Sequence, residues 1–397
     1  MLVNITVRRL VKKIMLNDKG TRLYRQGKLT IYKDGLKDDG GAEPGEEVFI
    51  TDSRGRVIGG GFYDGYGPVG VRILYIGDIQ DINDVIEDNI VRAYERRKTY
   101  PFKSKRIVYA DADYLPGLII DLYNDIAVIQ TSSIGMDIRI DTIKKTLLRH
   151  GIAKYIYLKN IQKSRLDIGL EIYSEWLTHE KKPETIIDEG KARFIVNVES
   201  GQKTGFYLDH RINRLELPTI ERANKVIDLY SYTGGFGIQY LLNGAREAVF
   251  VEEDDEAIET LYKNLSINNV MNNASVVHGK VEEFIEEENE ADVVIIDPPA
   301  LAPMKKSLKP AIKKYRAILT EILTNFRHRT LFISSCSYHI DRNTLLRDII
   351  DYTMKRCDKK YWILGGVRGS SPDHLVRTPD KELDYLKAYL IRLDYRV

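Results

Sequence analysis

KVIDLYSYTGGFG, Lys225 to Gly237, decides how the chain folds. Val226 to Leu229 reads as a short buried strand, followed by a tight glycine loop and the start of a helix. Gly234, Gly235 and Gly237 let backbone approach a ligand where a Cβ would collide. A strand carrying Asp228 into such a loop is a nucleotide-type cradle at the carboxyl edge of a parallel sheet. The loop is not GxGxxG, so a pyrophosphate on the helix N-terminus is not its natural ligand. A carboxylate at the strand tip instead favours an ammonium group, and S-adenosylmethionine, with its amino-acid end and sulfonium, fits that requirement.

From Thr185 onward the pattern around this stretch is regular. A hairpin (ETIIDEGKARFIVNV) and the segment ESGQKTGFYLDHRINR lead into alternating strands and helices. Strands are expected at Val226 to Leu229, Ala248 to Val251, Ser275 to Val277, Asp292 to Ile296 and Thr330 to Ser334. Helices are expected after Gly237, from Asp255 to Asn268 and near Pro310 to Asn325. That alternation is the signature of a doubly wound α/β sheet, Rossmann-like, with right-handed crossovers.

Three regions are read, 1–75, 76–184 and 185–397. Residues 1–75 carry short alternating runs and glycine turns, which suggests a small β-barrel. Ten Lys and Arg against two Asp lie between Met1 and Lys37, and with Tyr24 and Tyr32 interleaved they point to RNA binding. Residues 76–184 read as an α+β domain. Its helix over 80–98 has Ile82, Val85, Ile86, Ile90 and Val91 at helical spacing. Strands follow at Arg106 to Ala110, Leu118 to Leu122, Ile126 to Thr131, Tyr155 to Leu158 and Ile168 to Tyr173, with a helix near Met136 to His150. RRKTYPFKSKR, Arg96 to Arg106, holds six positive charges, two aromatics and no acid, and is expected to meet phosphate.

Composition bounds the function. At 397 residues the chain accommodates two or three domains, and 43% hydrophobic with 30% charged residues suits a globular enzyme. The apolar residues of MLVNITVRRLVKKIML are interrupted by four basic ones, so no signal peptide or membrane span is read there. No run of about 18 apolar residues occurs, and a cytoplasmic location is expected. Only Cys336 and Cys357 are present, without CxxC, which excludes a disulfide scaffold and a zinc-cysteine site. The net charge of +2 is unevenly spread, as for a protein that binds a polyanion. The oligomeric state is left open, a homodimer included.

Candidate chemistry collects at the strand ends. Glu252 follows Asp228 by 24 residues, where nucleoside-binding α/β folds place an acid for the ribose hydroxyls. DVVIIDPPAL delivers Asp297 to the same edge, beside two prolines that make a rigid, carbonyl-lined rim. Ala300 stands where amine-methylating enzymes usually have an aromatic to stack on the base. TLFISSCSYH brings Cys336 to the next strand end, whereas Cys357 is read as structural. MKKSLKPAIKKYR, Met304 to Arg316, has six positive charges and no acid, and is set to close over a phosphate backbone or to form an exposed helix face.

These motifs resemble the class I S-adenosylmethionine-dependent RNA methyltransferases that carry an N-terminal PUA domain. Their best-characterised members make 5-methylcytosine in large-subunit ribosomal RNA. ESGQKTGFYLDHR, DLYSYTGGFG, DPPAL and SSCS occur in that family's order and spacing, and the likeness covers nearly the whole chain. DSRGRVIGGGFYD resembles its PUA strands and DADYLPGLIIDLYND its central domain. The resemblance implies that Gln202, Lys203, Thr204, Gly205 and Phe206 line the methionine end of the cofactor. It implies that Asp228, Tyr230, Thr233, Gly234 and Gly235 form the glycine-loop site, with Glu252 on the ribose and Asp297 and Cys336 catalytic. Lys280 departs from the acid usual near adenine, Leu301 replaces a common Phe, and the tail keeps Asp373-His374 but otherwise diverges. The implied product is 5-methylcytosine in RNA. Guanine-nitrogen methylation, uridine carbon-5 methylation and a non-catalytic RNA-binding assembly factor are the rivals.

Overall fold

The computed structural model of the chain describes residues 11–78 and 80–394. Two compact units result. One comprises residues up to Pro183 with Val198–Ser200 and Asp373–Leu383, and the other Glu184–Asn197, Gly201–Pro372 and the residues from Asp384 on. Arg8 and Arg9, read above as part of a basic segment, lie outside the described residues.

The first unit holds two sheets. The N-terminal sheet has six strands, in the order Thr30–Tyr32, Val69–Ile76, Val57–Tyr63, Glu47–Thr51, Lys12–Leu16 and Leu36–Asp38. It buries Ile14, Leu16, Ile31, Val48, Ile50, Val71 and Ile73. Its glycine triplet is a packing requirement: a Cβ on Gly61 would stand 1.9 Å from the Arg72 carbonyl oxygen. The expected helix runs Ile82–Arg96, capped by the Asp81 carboxylate, with Ala93 buried on its inner face and Val91 only half-buried. It packs over a five-stranded sheet ordered Tyr173–Trp176, Tyr155–Asn160, Ile126–Thr131, Leu118–Tyr123 and Lys105–Tyr109.

One expectation fails here and another is cut back, both for one reason, buried charge. Ile168 to Tyr173 is not a strand. Fully buried Arg165 takes the Thr131 carbonyl at 2.6 Å and the Glu171 carbonyl at 2.9 Å, pulling that segment out of any ladder, and the strand begins at Tyr173. The run Arg96 to Arg106 can face phosphate only in part. Arg97 makes a bidentate pair with Asp113 at 2.9 and 2.7 Å, and Arg106 one with Asp121 at 2.8 and 2.9 Å, all four side chains buried. Lys105 Nζ donates to the Arg97 carbonyl at 2.9 Å. Arg96, Lys98 and Lys103 are the exposed cations of that run, Arg96 pairing with Asp113 and Lys98 with Glu95. The helix expected near Met136 to His150 is broken into Ile134–Asp137 and Ile140–Arg149. Asp373 and His374 sit in this unit, where the Asp373 carboxylate accepts the Arg106 backbone N–H at 2.9 Å.

The second unit is the doubly wound sheet. Its strands are β1 (Lys225–Leu229), β2 (Glu247–Glu252), β3 (Ala274–His278), β4 (Asn289–Ile296), β5 (Phe326–Ser335), β6 (Tyr361–Arg368) and β7 (Lys387–Leu393), in the order β3-β2-β1-β4-β5-β7-β6. β1 to β5 pair in parallel, while β7 inserts antiparallel between β5 and β6. The chain order reverses between β1 and β4, the switch point at which such sheets bind ligands. Gly237, in the first turn of the helix Gly235–Leu242 that follows β1, packs against Phe250 of β2, whose ring a Cβ would meet at 2.3 Å. A hairpin, Glu184–Glu189 with Ala192–Asn197, lies outside the main sheet.

That hairpin is tied to helix Arg211–Ile220 by Glu189. The carboxylate is fully buried and accepts from Arg214 Nε at 2.6 Å and from Arg211 Nε at 3.1 Å. Burial alone would raise the Glu189 carboxyl, but the two guanidiniums outweigh it and hold it below the usual carboxylate value. Its contribution to stability is therefore present above its unfolded value of about 4.3 and is lost as pH falls through the folded one. Glu189→Gln, which leaves two buried guanidiniums without a counter-charge, should destabilise this unit by about 3–5 kcal/mol. Urea denaturation at pH 7 reads the loss, and an unchanged midpoint would show the pair to be energetically neutral.

Candidate active site

A cavity of about 610 Å³ opens at the carboxyl ends of β1, β2, β4 and β5, a size suited to a nucleoside-bearing ligand. One wall comes from the segment after the hairpin, through Gln202, Lys203, Phe206, Tyr207, His210 and Arg214. Another is the glycine loop, Tyr230 to Phe236, and the rest is Glu252 to Asp254, Asp297 to Ala300 and Cys336. Strand register explains the last meeting. Ile296 pairs with Ile333, so Asp297 and Cys336 leave adjacent strand ends.

Asp297 is held from two sides. Ser334 Oγ–H donates to its Oδ1, and His210 Nε2 lies 3.3 Å from the same oxygen. Burial pushes the Asp297 carboxyl up, but His210 and Ser334 together hold it below the usual carboxylate value. Cys336 is half-buried, and burial pushes its thiol up to about 11, Lys203 pulling it down while Asp297 and Asp209 push it further up. Lys203 itself pairs with Asp209 at 2.7 Å, lies over the Tyr207 ring at 4.2 Å and has a left-handed backbone, φ 52°. Glu252 accepts the backbone N–H groups of Tyr232 at 2.7 Å, Glu253 at 3.0 Å and Asp254 at 3.1 Å.

The expected residues divide between wall and frame. Gln202, Lys203, Phe206, Tyr230, Thr233, Gly235, Glu252, Asp297 and Cys336 line the cavity. Thr204, Gly205 and Gly234 are buried and shape turns behind it, the Gly205 N–H closing on the Gln202 carbonyl at 2.8 Å. Asp228, expected to meet an ammonium group, does not reach the cavity wall. Its Oδ2 accepts the Gly237 N–H at 2.8 Å, and burial, reinforced by Asp297 and Glu252, pushes its carboxyl up to about 8. It braces the glycine loop from behind. The sequence reading passed over Tyr207, His210, Arg214, Ser231 and Tyr232. The signal for the first three was their i, i+3, i+7 spacing in YLDHRINR, which lines one side of the chain as it enters helix Arg211–Ile220.

The donor set fits S-adenosylmethionine. Ser231 Oγ is buried at the cavity and makes no hydrogen bond within the protein, leaving it for a ligand. Gly235 keeps open space that a Cβ would close against Arg214 Cδ at 2.8 Å.

The chain resembles known proteins along its length. A family model described as a PUA-like domain matches residues 14–75, and one described as conserved hypothetical protein 95 matches 214–330. A Methanocaldococcus jannaschii protein, provisionally named a ribosomal RNA large subunit methyltransferase, is 36% identical over 96% of this chain and 99% of its own. Ribosomal RNA large subunit methyltransferase I of Aeromonas salmonicida is 28% identical over 91% of this chain and 94% of its own. A provisionally assigned SAM-dependent methyltransferase from Streptococcus mutans superposes with a TM-score of 0.79 at 18% identity, over 96% of this chain and 100% of its own. That last likeness establishes the fold.

The charges around Cys336 make its reactivity measurable. At pH 8 the thiol should alkylate slowly, because little thiolate exists so far below its value of about 11. Asp297→Asn removes a negative neighbour and should speed the reaction, while Lys203→Ala should slow it. Peptide mass mapping of iodoacetamide-treated protein separates Cys336 from Cys357, and equal rates in all three proteins would show these charges to be screened from the sulfur.

Proposed function

The chain belongs to the family of ribosomal RNA large subunit methyltransferases, and from that premise we propose that it uses S-adenosylmethionine to form 5-methylcytosine in large-subunit ribosomal RNA. The observation that supports the carbon-5 reading is the pairing of Cys336 with Asp297 on adjacent strand ends of one cavity. When bound, S-adenosylmethionine supplies an electrophilic methyl group on sulfur. Carbon 5 of cytosine is a poor nucleophile until carbon 6 is attacked. Cys336 gives its thiol proton to a base as its sulfur bonds to carbon 6, and the electron pair displaced from the carbon 5–carbon 6 double bond makes carbon 5 enamine-like and able to take the methyl. Loss of the carbon-5 proton to a base then drives the sulfur off carbon 6. Asp297 accepts a hydrogen bond from the N4 amino group on the N3/N4 edge of the base and so orients carbon 6 toward the sulfur.

Gln202, Lys203, Phe206, Tyr230, Ser231, Thr233 and Gly235 are assigned to the cofactor, Asp228 and Gly234 to support of its loop. Glu252 is assigned to the ribose. Three backbone N–H groups already use its oxygens, which leaves about one of roughly four lone-pair sites for a hydroxyl. Glu252→Ala should then weaken S-adenosylmethionine binding by about 10- to 150-fold, the equivalent of about 1.5–3 kcal/mol for hydrogen bonds to a charged group. Calorimetry that finds unchanged affinity in a folded variant removes Glu252 from the site.

The first two regions, 1–75 and 76–184, are assigned to RNA. Exposed Lys13, Arg22, Arg25, Tyr32, Lys33, Lys37 and Lys103, with Lys305, Lys306, Lys309 and Lys313 of the second unit, are among the contacts available to a polyanion. Lys314 and Arg316 are not among them, since Lys314 pairs with Glu282 at 2.8 Å and Arg316 stacks on Tyr352 at 3.6 Å.

RNA carrying 5-fluorocytosine tests the mechanism, because it has no carbon-5 proton to lose. Methyl transfer should stop with protein and RNA joined through Cys336, seen as a cofactor-dependent band on denaturing electrophoresis that Cys336→Ala abolishes. Full turnover by Cys336→Ala on unmodified RNA would instead mean nitrogen methylation. An adduct on fluorouracil alone would mean uridine, and no transfer to any RNA would mean a binding protein.

A further inference from the structure

Beside Asp297 runs a chain of side chains to which the steps above give no role. Asn213, on helix Arg211–Ile220, donates from Nδ2 to the Gly369 carbonyl at 3.3 Å, which fixes its amide orientation. The same Nδ2 lies 3.2 Å from His210 Nδ1. A ring nitrogen that accepts from an amide carries no proton, so the imidazole proton sits on Nε2. His210 is 2% exposed, and its ring is set by the edges of Phe236 and Phe332, at 5.4 and 6.3 Å between centroids. Nε2 points to Asp297 Oδ1 at 3.3 Å and has no aligned hydrogen-bond partner. Ser334 Oγ–H and the imidazole thus converge on one oxygen. The Asp297 side chain is 22% exposed, which leaves Oδ2 for the cavity.

We infer that His210, oriented by Asn213, is a positioning residue that holds Asp297 as an ionised, acceptor-only carboxylate, so that the cavity selects a base edge bearing an amino group. The inference rests on the reading of Asp297 as the contact to the base. A carboxylate that can only accept matches the N4 amino group of cytosine. The O4 carbonyl of uracil would set two acceptors against each other, a repulsive element that builds discrimination. The other ionisable groups facing Asp297 are Asp209, Asp228, Cys336, Tyr207 and Tyr315. None of them is a cation, and Lys203 is engaged with Asp209. The donors that can keep Asp297 ionised are therefore His210 and Ser334.

The experiment follows the Asp297 carboxyl by carbon-13 NMR in the full chain labelled at Asp Cγ, with the resonance identified by its loss in Asp297→Asn. In the native protein it should titrate below about 3.9, the value of a free aspartate. His210→Phe should move the midpoint up by at least about one pH unit, and His210→Gln, which restores an N–H donor, should return most of that shift. Asn213→Ala, which frees the tautomer, should give a smaller upward shift and serves if His210→Phe does not fold. An unmoved midpoint in either folded variant overturns the inference. The acid limb of the methyl-transfer rate should move with the carboxyl; a uniform loss at all pH values, with the limb fixed, would make His210 merely structural and also overturn it. If the carboxyl shifts as expected while the native protein makes no 5-methylcytosine, the positioning role stands and the cytosine reading falls.

Discussion

Everything at the cavity depends on one buried carboxylate that is outnumbered by its partners. Glu189 sits at the end of a hairpin strand and pairs with both Arg211 and Arg214. Through them it fixes the start of a helix that begins only where the segment Gln202 to His210 ends. Arg214 also reaches back, donating to the Tyr207 carbonyl at 2.9 Å and lying over the Phe206 ring at 4.7 Å. A segment without regular ladder bonds is thereby held firmly enough to form a wall. Asn264 does the same from the far side, linking the Ile195 N–H to the Thr233 carbonyl at 2.8 and 2.9 Å. The sheet alone would leave Asp297 and Cys336 at an open edge; these two polar ties close it.

The sheet was legible in the sequence because its strands are buried on both faces and read as unbroken apolar runs. β1, β2, β4 and the helices between them fall within a few residues of expectation. The antiparallel insertion of β7 was not legible, since KAYLIRL carries no sign of its neighbour. Glycine and proline motifs located the cavity, because each has a steric reason that survives without coordinates.

Charged residues were the hard part. A run of basic residues reads the same whether it faces solvent or a buried acid 15 or 16 residues further on, as Arg97 with Asp113 and Arg106 with Asp121 show. Asp228 failed for a related reason: its strand position was read rightly, but a neighbouring Gly237 N–H claims its oxygen. His210 left only a spacing signal, because nothing in sequence shows that a histidine's value lies in one contact with a residue at a distant strand end.

The route of the chain near its end has a consequence for how the molecule is made. Asp373 to Leu383 leave the second unit and complete the first, where the Asp373 carbonyl accepts from Arg97, 276 residues away in sequence. The first unit is therefore not a separable N-terminal module. During synthesis, which proceeds from the N-terminus at about 5–20 residues per second, the Arg97 guanidinium and the Arg106 amide must wait for the last part of the chain to emerge. Until then the first unit is unfinished, and a product truncated after the second unit's sheet has begun to form would lack part of both units at once.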